Sequence, residues 1–131
     1  MIVLVVLIFV VDVDGYISEF AIWRYRKYKI DIETILIPQD DFQFDKKFNI
    51  VYSDAVWEHF SPKKQIDYLY KIDKYINNNG MFILIIDLAG EEKDMPMHYN
   101  VDICNIHNTL KNIGYTNSYG DGYFASVWNK N

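Results

Sequence analysis

A chain of 131 residues with a net charge of −5, half of it apolar and 17% of it aromatic, carries enough material for one domain with a core of its own. That composition excludes a disordered chain, and the negative balance argues against a nucleic-acid backbone as the main partner. The single cysteine, Cys104, excludes an internal disulfide and a cysteine-spaced metal site, and fits a reducing, cytoplasmic setting.

Ile2 to Val11 is an unbroken run of mainly Val, Ile and Leu. It is about half the length that spans a bilayer. No Lys or Arg precedes it and no small-residue cleavage site follows it, so a signal peptide is not expected. An apolar run without alternation reads as a strand buried on both faces of a parallel sheet. The run closes on VVDVDG, Val10 to Gly15, which sets Asp12 and Asp14 at the C-terminal end of that strand.

Ser18 to Tyr28 follows with Phe20, Ala21, Arg24 and Tyr28 at helical spacing and Ser18 as its cap. ETILI, Glu33 to Ile37, is a strand stopped by Pro38, and polar Gln39 to Lys47 is a loop. NIVY, Asn49 to Tyr52, is a further strand. Ser61-Pro62 opens a helix with Ile66, Leu69, Tyr70 and Ile76 on its apolar stripe. Asn77-Asn78-Asn79-Gly80 is expected to close that helix with a left-handed residue. MFILII, Met81 to Ile86, is a second doubly buried strand, ending in Asp87. Asp102 caps a helix bearing Ile103, Ile106, Leu110 and Ile113, closed by Gly114. Tyr115 to Tyr119 and Tyr123 to Trp128 form a hairpin around Gly120-Asp121-Gly122.

This alternation predicts an α/β fold over residues 1–131 as a single domain: a Rossmann-like, mostly parallel sheet with flanking helices and a C-terminal antiparallel hairpin. Ligands of such sheets bind beyond the C-terminal strand ends. Those ends carry Asp12 and Asp14, Asp40 and Asp41, Ser53 and Asp54, and Asp87. A row of acids along one edge repels itself unless a ligand or donors compensate.

VVDVDG admits two chemistries. Asp-x-Asp-Gly behind an apolar strand resembles the first motif of haloacid-dehalogenase-type phosphatases, with Asp12 attacking phosphorus and Asp14 shuttling the proton. That resemblance implies Ser53 at a second strand end, and Asp87 with Glu91 holding magnesium.

The second resemblance covers nearly all of Val10 to Trp128. FNIVYSDAVWEHF, Phe48 to Phe60, resembles the fourth-strand signature of class I S-adenosylmethionine-dependent methyltransferases. NNNGMFILIIDLAG, Asn77 to Gly90, resembles their fifth strand with the turn before it. LKNIGYTNSY and GYFASVWN resemble their last helix and closing hairpin, and VVDVDGYISEFA their second strand and next helix.

That resemblance implies roles by residue. Asp12, nine residues before Ala21, matches the carboxylate that takes the ribose hydroxyls of S-adenosyl-L-methionine. Asp40 or Asp41 matches the acid near the adenine amino group, with Phe42 placed to stack on the ring. Ser53 and Asp54 line the methionine end. Glu58 and His59 match a Glu-His pair at the mouth of the acceptor site. His59 or His98 would serve as base for a hydroxyl acceptor, and Trp57 or Tyr99 would face the sulfonium. The acceptor implied is a small molecule, with neither nucleic acid nor membrane as partner. Beside these roles stand plainer ones: Asp14 as a turn former before Gly15, His98 and His107 as surface residues, Trp23 and Tyr25 as packing or surface residues.

The sequence departs from the family in one large respect. Class I enzymes open with a strand and a G-x-G-x-G loop whose glycines let the backbone approach the cofactor. These 131 residues contain no such loop, and Asn49 stands where the family commonly has Asp. The expectation is a sheet incomplete at its N-terminal side, lacking the family's central strand. Weak or lost cofactor binding and self-association through an exposed sheet edge should follow.

Overall fold

The computed structural model describes residues 8–13, 16–37, 43–86, 99–120 and 125–131. The chain divides into two compact units, Met1–Phe44 and Asp45–Asn131. Among the described residues no helix is long and apolar enough to cross a membrane.

The first unit holds strand β1 (Ile8–Val13), helix α1 (Tyr16–Lys27) and strand β2 (Ile32–Ile37). β1 and β2 pair in parallel, with Asp12 opposite Leu36 and Val13 opposite Ile37. The helix begins two residues earlier than its sequence suggests. Ser18 lies inside the first turn and is buried, so it is not the cap. At the other end Lys29 takes a left-handed φ of 53°. The Ile30 amide then reaches back to the Tyr25 carbonyl at 2.9 Å and the Lys29 amide to that of Arg26 at 3.1 Å. That pair of bonds is a Schellman termination carried by a residue other than glycine.

The second unit is a four-stranded sheet. Its members are β3 (Phe48–Asp54), β4 (Ile76–Ile85), β5 (Tyr115–Tyr119) and β6 (Ala125–Lys130), in the order β3-β4-β6-β5. β3 and β4 are parallel; β4–β6 and β5–β6 are antiparallel. A short helical turn (Trp57–His59) and helix α2 (Pro62–Asp73) connect β3 to β4, and helix α3 (Ile103–Asn112) precedes β5.

Leu69 of α2, Ile106 and Leu110 of α3, Phe82 and Leu84 of β4, Trp128 of β6 and Trp57 form one buried cluster. Each fully buried side chain of this size contributes about 1.5–3 kcal/mol. Only one face of β4 is fully buried. Met81, Ile83 and Ile85 are half-buried, where the sequence reads as buried on both faces.

The boundary between α2 and β4 differs most from expectation. The helix stops at Asp73, and Ile76 is the first residue of β4, opposite Phe48 and fully buried. Asn77-Asn78-Asn79-Gly80 is therefore not a helix cap but a bulge. β3 advances from Phe48 to Ile50 while β4 advances from Ile76 to Met81. Asn79 does take the left-handed conformation, at φ 62°, but within the strand. Asn77 Nδ2 donates to Asn49 Oδ1 at 2.7 Å and staples the bulge to β3. A Cβ on Gly80 would lie 2.7 Å from both the Asn77 carbonyl and Ile76 Cγ2, so glycine is required there by space.

Other edges shift by a few residues. Ser61 occupies the N-cap of α2 but makes no side-chain capping bond; Pro62 sets the first turn. Asp102 does cap α3, accepting from the Asn105 amide at 2.9 Å, and Gly114 closes it at φ 102°. The hairpin exists, and the described part of its second strand, Ala125–Lys130, runs two residues past the expected end at Trp128. Gly120 turns it at φ 83°. Residues 121–124, which include Asp121, Gly122 and the expected start of that strand at Tyr123, lie outside the described residues.

Candidate functional site

In each unit a described candidate residue stands near the C-terminal end of a parallel strand. In the first unit, Asp12 is the penultimate residue of β1, opposite Leu36, so the C-terminal ends of β1 and β2 lie at one end of the pair. Asp14, Asp40, Asp41 and Phe42 lie outside the described residues, as do Asp87, Glu91 and His98.

In the second unit, Ser53 and Asp54 stand at the C-terminal end of β3, opposite Leu84 and Ile85 of β4. The pleat sends them to opposite faces. Ser53 is half-buried, whereas Asp54 is exposed and its Oδ2 accepts from the Tyr52 hydroxyl at 2.8 Å. That hydrogen bond, with a smaller desolvation and the Asp54 charge, raises the Tyr52 phenol above its usual range.

Immediately after Asp54 the chain turns on Ala55, whose φ is 49°. A left-handed alanine is sterically costly and holds only where its surroundings dictate it. The Ala55 amide is tied to the Ile85 carbonyl at 3.2 Å, which extends the β3–β4 pairing one residue past the strand. No glycine or asparagine signals this turn, so the sequence offers no sign of it.

The turn delivers Trp57, Glu58 and His59 to very different surroundings. Trp57 is a core residue, edge-on to Phe60 at 6.0 Å and Phe82 at 6.4 Å. Its ring is not available to face a sulfonium, which corrects that expectation; Tyr99, half exposed, stays available. Glu58 is 1% exposed and its Oε2 is buried without a hydrogen-bond partner, as is Trp57 Nε1. His59, the next residue, is exposed. An unpaired buried carboxylate oxygen and, on the preceding residue, an unpaired indole N–H are costly for stability alone, and sites of ligand contact are where such cost is tolerated.

A third feature escapes sequence reading. Gln65 is buried, and its amide donates to the Phe60 carbonyl at 2.9 Å and to the Asn100 carbonyl at 3.2 Å. The Tyr99 amide donates to the Glu58 carbonyl at 2.6 Å. These three bonds tie residues 99–100 to the 57–60 turn. A polar residue on the inner face of an amphipathic helix is the only sequence signal for such a clamp. His107 packs its ring edge-on against Trp128 at 4.7 Å and is half-buried rather than a surface residue. Among the described residues no three His, Cys, Asp or Glu side chains cluster as a metal site.

Within the second unit, then, an exposed carboxylate at the end of β3 is followed by a left-handed turn residue and by two buried polar atoms without a partner.

No protein-family model matches the sequence, and no curated protein is similar to it. Solved structures are. A methyltransferase from Pyrococcus furiosus superposes with a TM-score of 0.69 at 12% identity, over 95% of this chain and 62% of that one. A protein from Pyrococcus horikoshii gives 0.73 at 14% identity, over 95% and 72%. The magnesium protoporphyrin IX methyltransferase of Synechocystis with bound SAH gives 0.70 at 11% identity, over 95% and 64%. The chain thus spans somewhat under two thirds of the length of two of these three proteins. With two parallel pairs, β1–β2 and β3–β4, and the antiparallel β6 inserted between β4 and β5, the chain has the class I S-adenosylmethionine-dependent methyltransferase fold.

Proposed function

We propose that this chain takes part in methyl transfer from S-adenosyl-L-methionine to a small-molecule acceptor, and that on its own it binds the cofactor weakly. The observation that carries the reading is the end of β3. There a left-handed Ala55 turns the chain from Asp54 onto the Trp57–His59 turn, at the end of the sheet where ligands of such folds bind. Asp12 would accept from the ribose hydroxyls. Asp40 or Asp41 would contact the adenine amino group, with Phe42 against the ring, and Ser53 and Asp54 would line the methionine end. The cofactor, when bound, supplies an activated methyl group, so the protein's share is alignment. His59, exposed at the end of that turn, takes the proton of a hydroxyl acceptor, and buried Glu58, the residue before it, completes the Glu-His pair.

Weakness follows from the absence of G-x-G-x-G, because no glycine-rich backbone is present to approach the cofactor closely. The same reading includes self-association. β3 ends the sheet order, and Ile50 and Tyr52 on it are exposed. Such an edge favours pairing with another strand.

Calorimetric titration of the 131-residue chain with S-adenosylmethionine and S-adenosylhomocysteine tests the proposal. The expected dissociation constant is on the order of 1 mM. Asp12→Asn should weaken it about 10-fold through loss of charge-assisted bonds. Micromolar binding would refute the weakness; binding indifferent to Asp12→Asn would refute the ribose role. No heat at cofactor concentrations well above the millimolar range would remove methyl transfer from this chain.

A further inference from the structure

The outward face of α1 plays no part in the site above. Phe20 and Trp23 are 57% and 52% exposed, and Tyr28 and Ile30 continue the apolar surface past the helix end. Large aromatic side chains left this open in a group mark an interaction surface rather than scatter. Cations are interleaved with them. Arg24 lies over the Phe20 ring at 5.9 Å, and Lys27 over Trp23 at 4.9 Å and Tyr28 at 5.8 Å. Phe20, Trp23, Arg24 and Lys27 recur at helical spacing and so share one face, from which Glu19, the one acid on the helix, is turned away.

We propose that this face docks on the surface of an anionic lipid bilayer. Its composition fits one: aromatic rings for the headgroup boundary, with Arg and Lys around them for anionic headgroups. Arg24 and Lys27, with no acid on their face of the helix, stand out in a chain of net charge −5. Charges elsewhere on the protein are screened beyond about 8 Å at physiological salt, so the local patch governs contact. A docked surface helix needs no membrane-spanning segment.

Two other occupants fit less well. Nucleic acid binds through open ring faces, but here the rings face each other and the cations. Phe20 and Trp23 stack at 5.6 Å and 23°, and Lys27 covers Trp23. A second copy docked symmetrically through the same face would set these cations against their equivalents.

Co-sedimentation of the full chain with phosphatidylcholine vesicles, with and without phosphatidylserine, tests the inference. Binding should be at least about 10-fold stronger with phosphatidylserine and should fall as salt rises. The double variant Arg24→Glu, Lys27→Glu should lose about 25-fold or more, from roughly 5-fold per cation. Brominated lipid should quench parent fluorescence, and Trp23→Phe should abolish that quenching, because Trp57 and Trp128 are buried. The quenching test uses the parent fold and so stands even where the double variant misfolds. Equal binding to both vesicle types overturns the proposal, as does quenching that survives Trp23→Phe. So does a single-stranded oligonucleotide bound in preference to vesicles, or a dimer that dissociates in the double variant while neither protein binds lipid.

Discussion

Asp73 closes α2 and joins it to the last two strands, and removing its carboxylate has a cost that follows from its neighbours. Its Oδ1 accepts from the Tyr115 hydroxyl at 2.9 Å and from Lys130 Nζ at 2.7 Å. Tyr115 is 3% exposed, so in Asp73→Ala its hydroxyl is left without that acceptor, at about 1–3 kcal/mol. Lys130 fares better. It also donates to the carbonyls of Asp73 and Ile76, at 2.8 and 3.2 Å, and so keeps two partners. Loss of the partly screened ion pair adds no more than about 1 kcal/mol. Alanine is the better helix former, and an acid at a helix C-terminus opposes the dipole, so about 0.5–1 kcal/mol is recovered. The net expectation is a loss of about 2 kcal/mol.

Urea unfolding of the Trp23→Phe background reads it cleanly. Trp57 and Trp128 then report on the second unit alone, since Trp23 belongs to the first. The midpoint should fall by about 1 M at unchanged slope. In a double-mutant cycle, Tyr115→Phe and Asp73→Ala should couple by about 1 kcal/mol. A destabilisation below about 0.5 kcal/mol, or additive single changes, would refute the view that this carboxylate holds α2 to β5.

The same phenol sets a pH dependence. Burial first, then the hydrogen bond to Asp73 and its charge, raise Tyr115 far above the usual tyrosine range. A group held protonated in the folded state contributes stability below its unfolded pKa of about 10 and loses it as pH rises further. Stability should therefore decline above about pH 10, and Tyr115→Phe should flatten that decline in chemical denaturation at stepped pH. Gly80→Ala should cost about 1–3 kcal/mol by urea unfolding, because the new Cβ meets the Asn77 carbonyl and Ile76. Gly114→Ala meets nothing within 4 Å, so its cost comes from φ 102° alone and should be the smaller of the two.

Much of the secondary structure was legible because its causes are local. The apolar runs before Asp12 and Asp87, the Asp102 cap with Gly114, and the glycine-marked hairpin each follow from short-range pattern or backbone sterics. The order of these elements, with the acids at strand ends, was enough to indicate the fold. Where the reading missed, a distant contact outweighed a local preference. Ile76 fits the helical stripe, yet it joins β4 because pairing with Phe48 buries it completely. The adjoining asparagines then become a bulge, stapled by Asn49 from 28 residues away.

The candidate site divides in the same way. Residue types at strand ends, from Asp12 to Asp54, can be read from the chain, because a strand end is a local event. Tertiary structure alone decided that Glu58 is buried while its neighbour His59 is exposed, and that Trp57 belongs to the core. It also decided that Ala55 adopts a left-handed turn and that Gln65 clamps Asn100. Burial, backbone strain and long-range hydrogen bonds depend on which surfaces meet, and no window of sequence contains both partners of such a meeting.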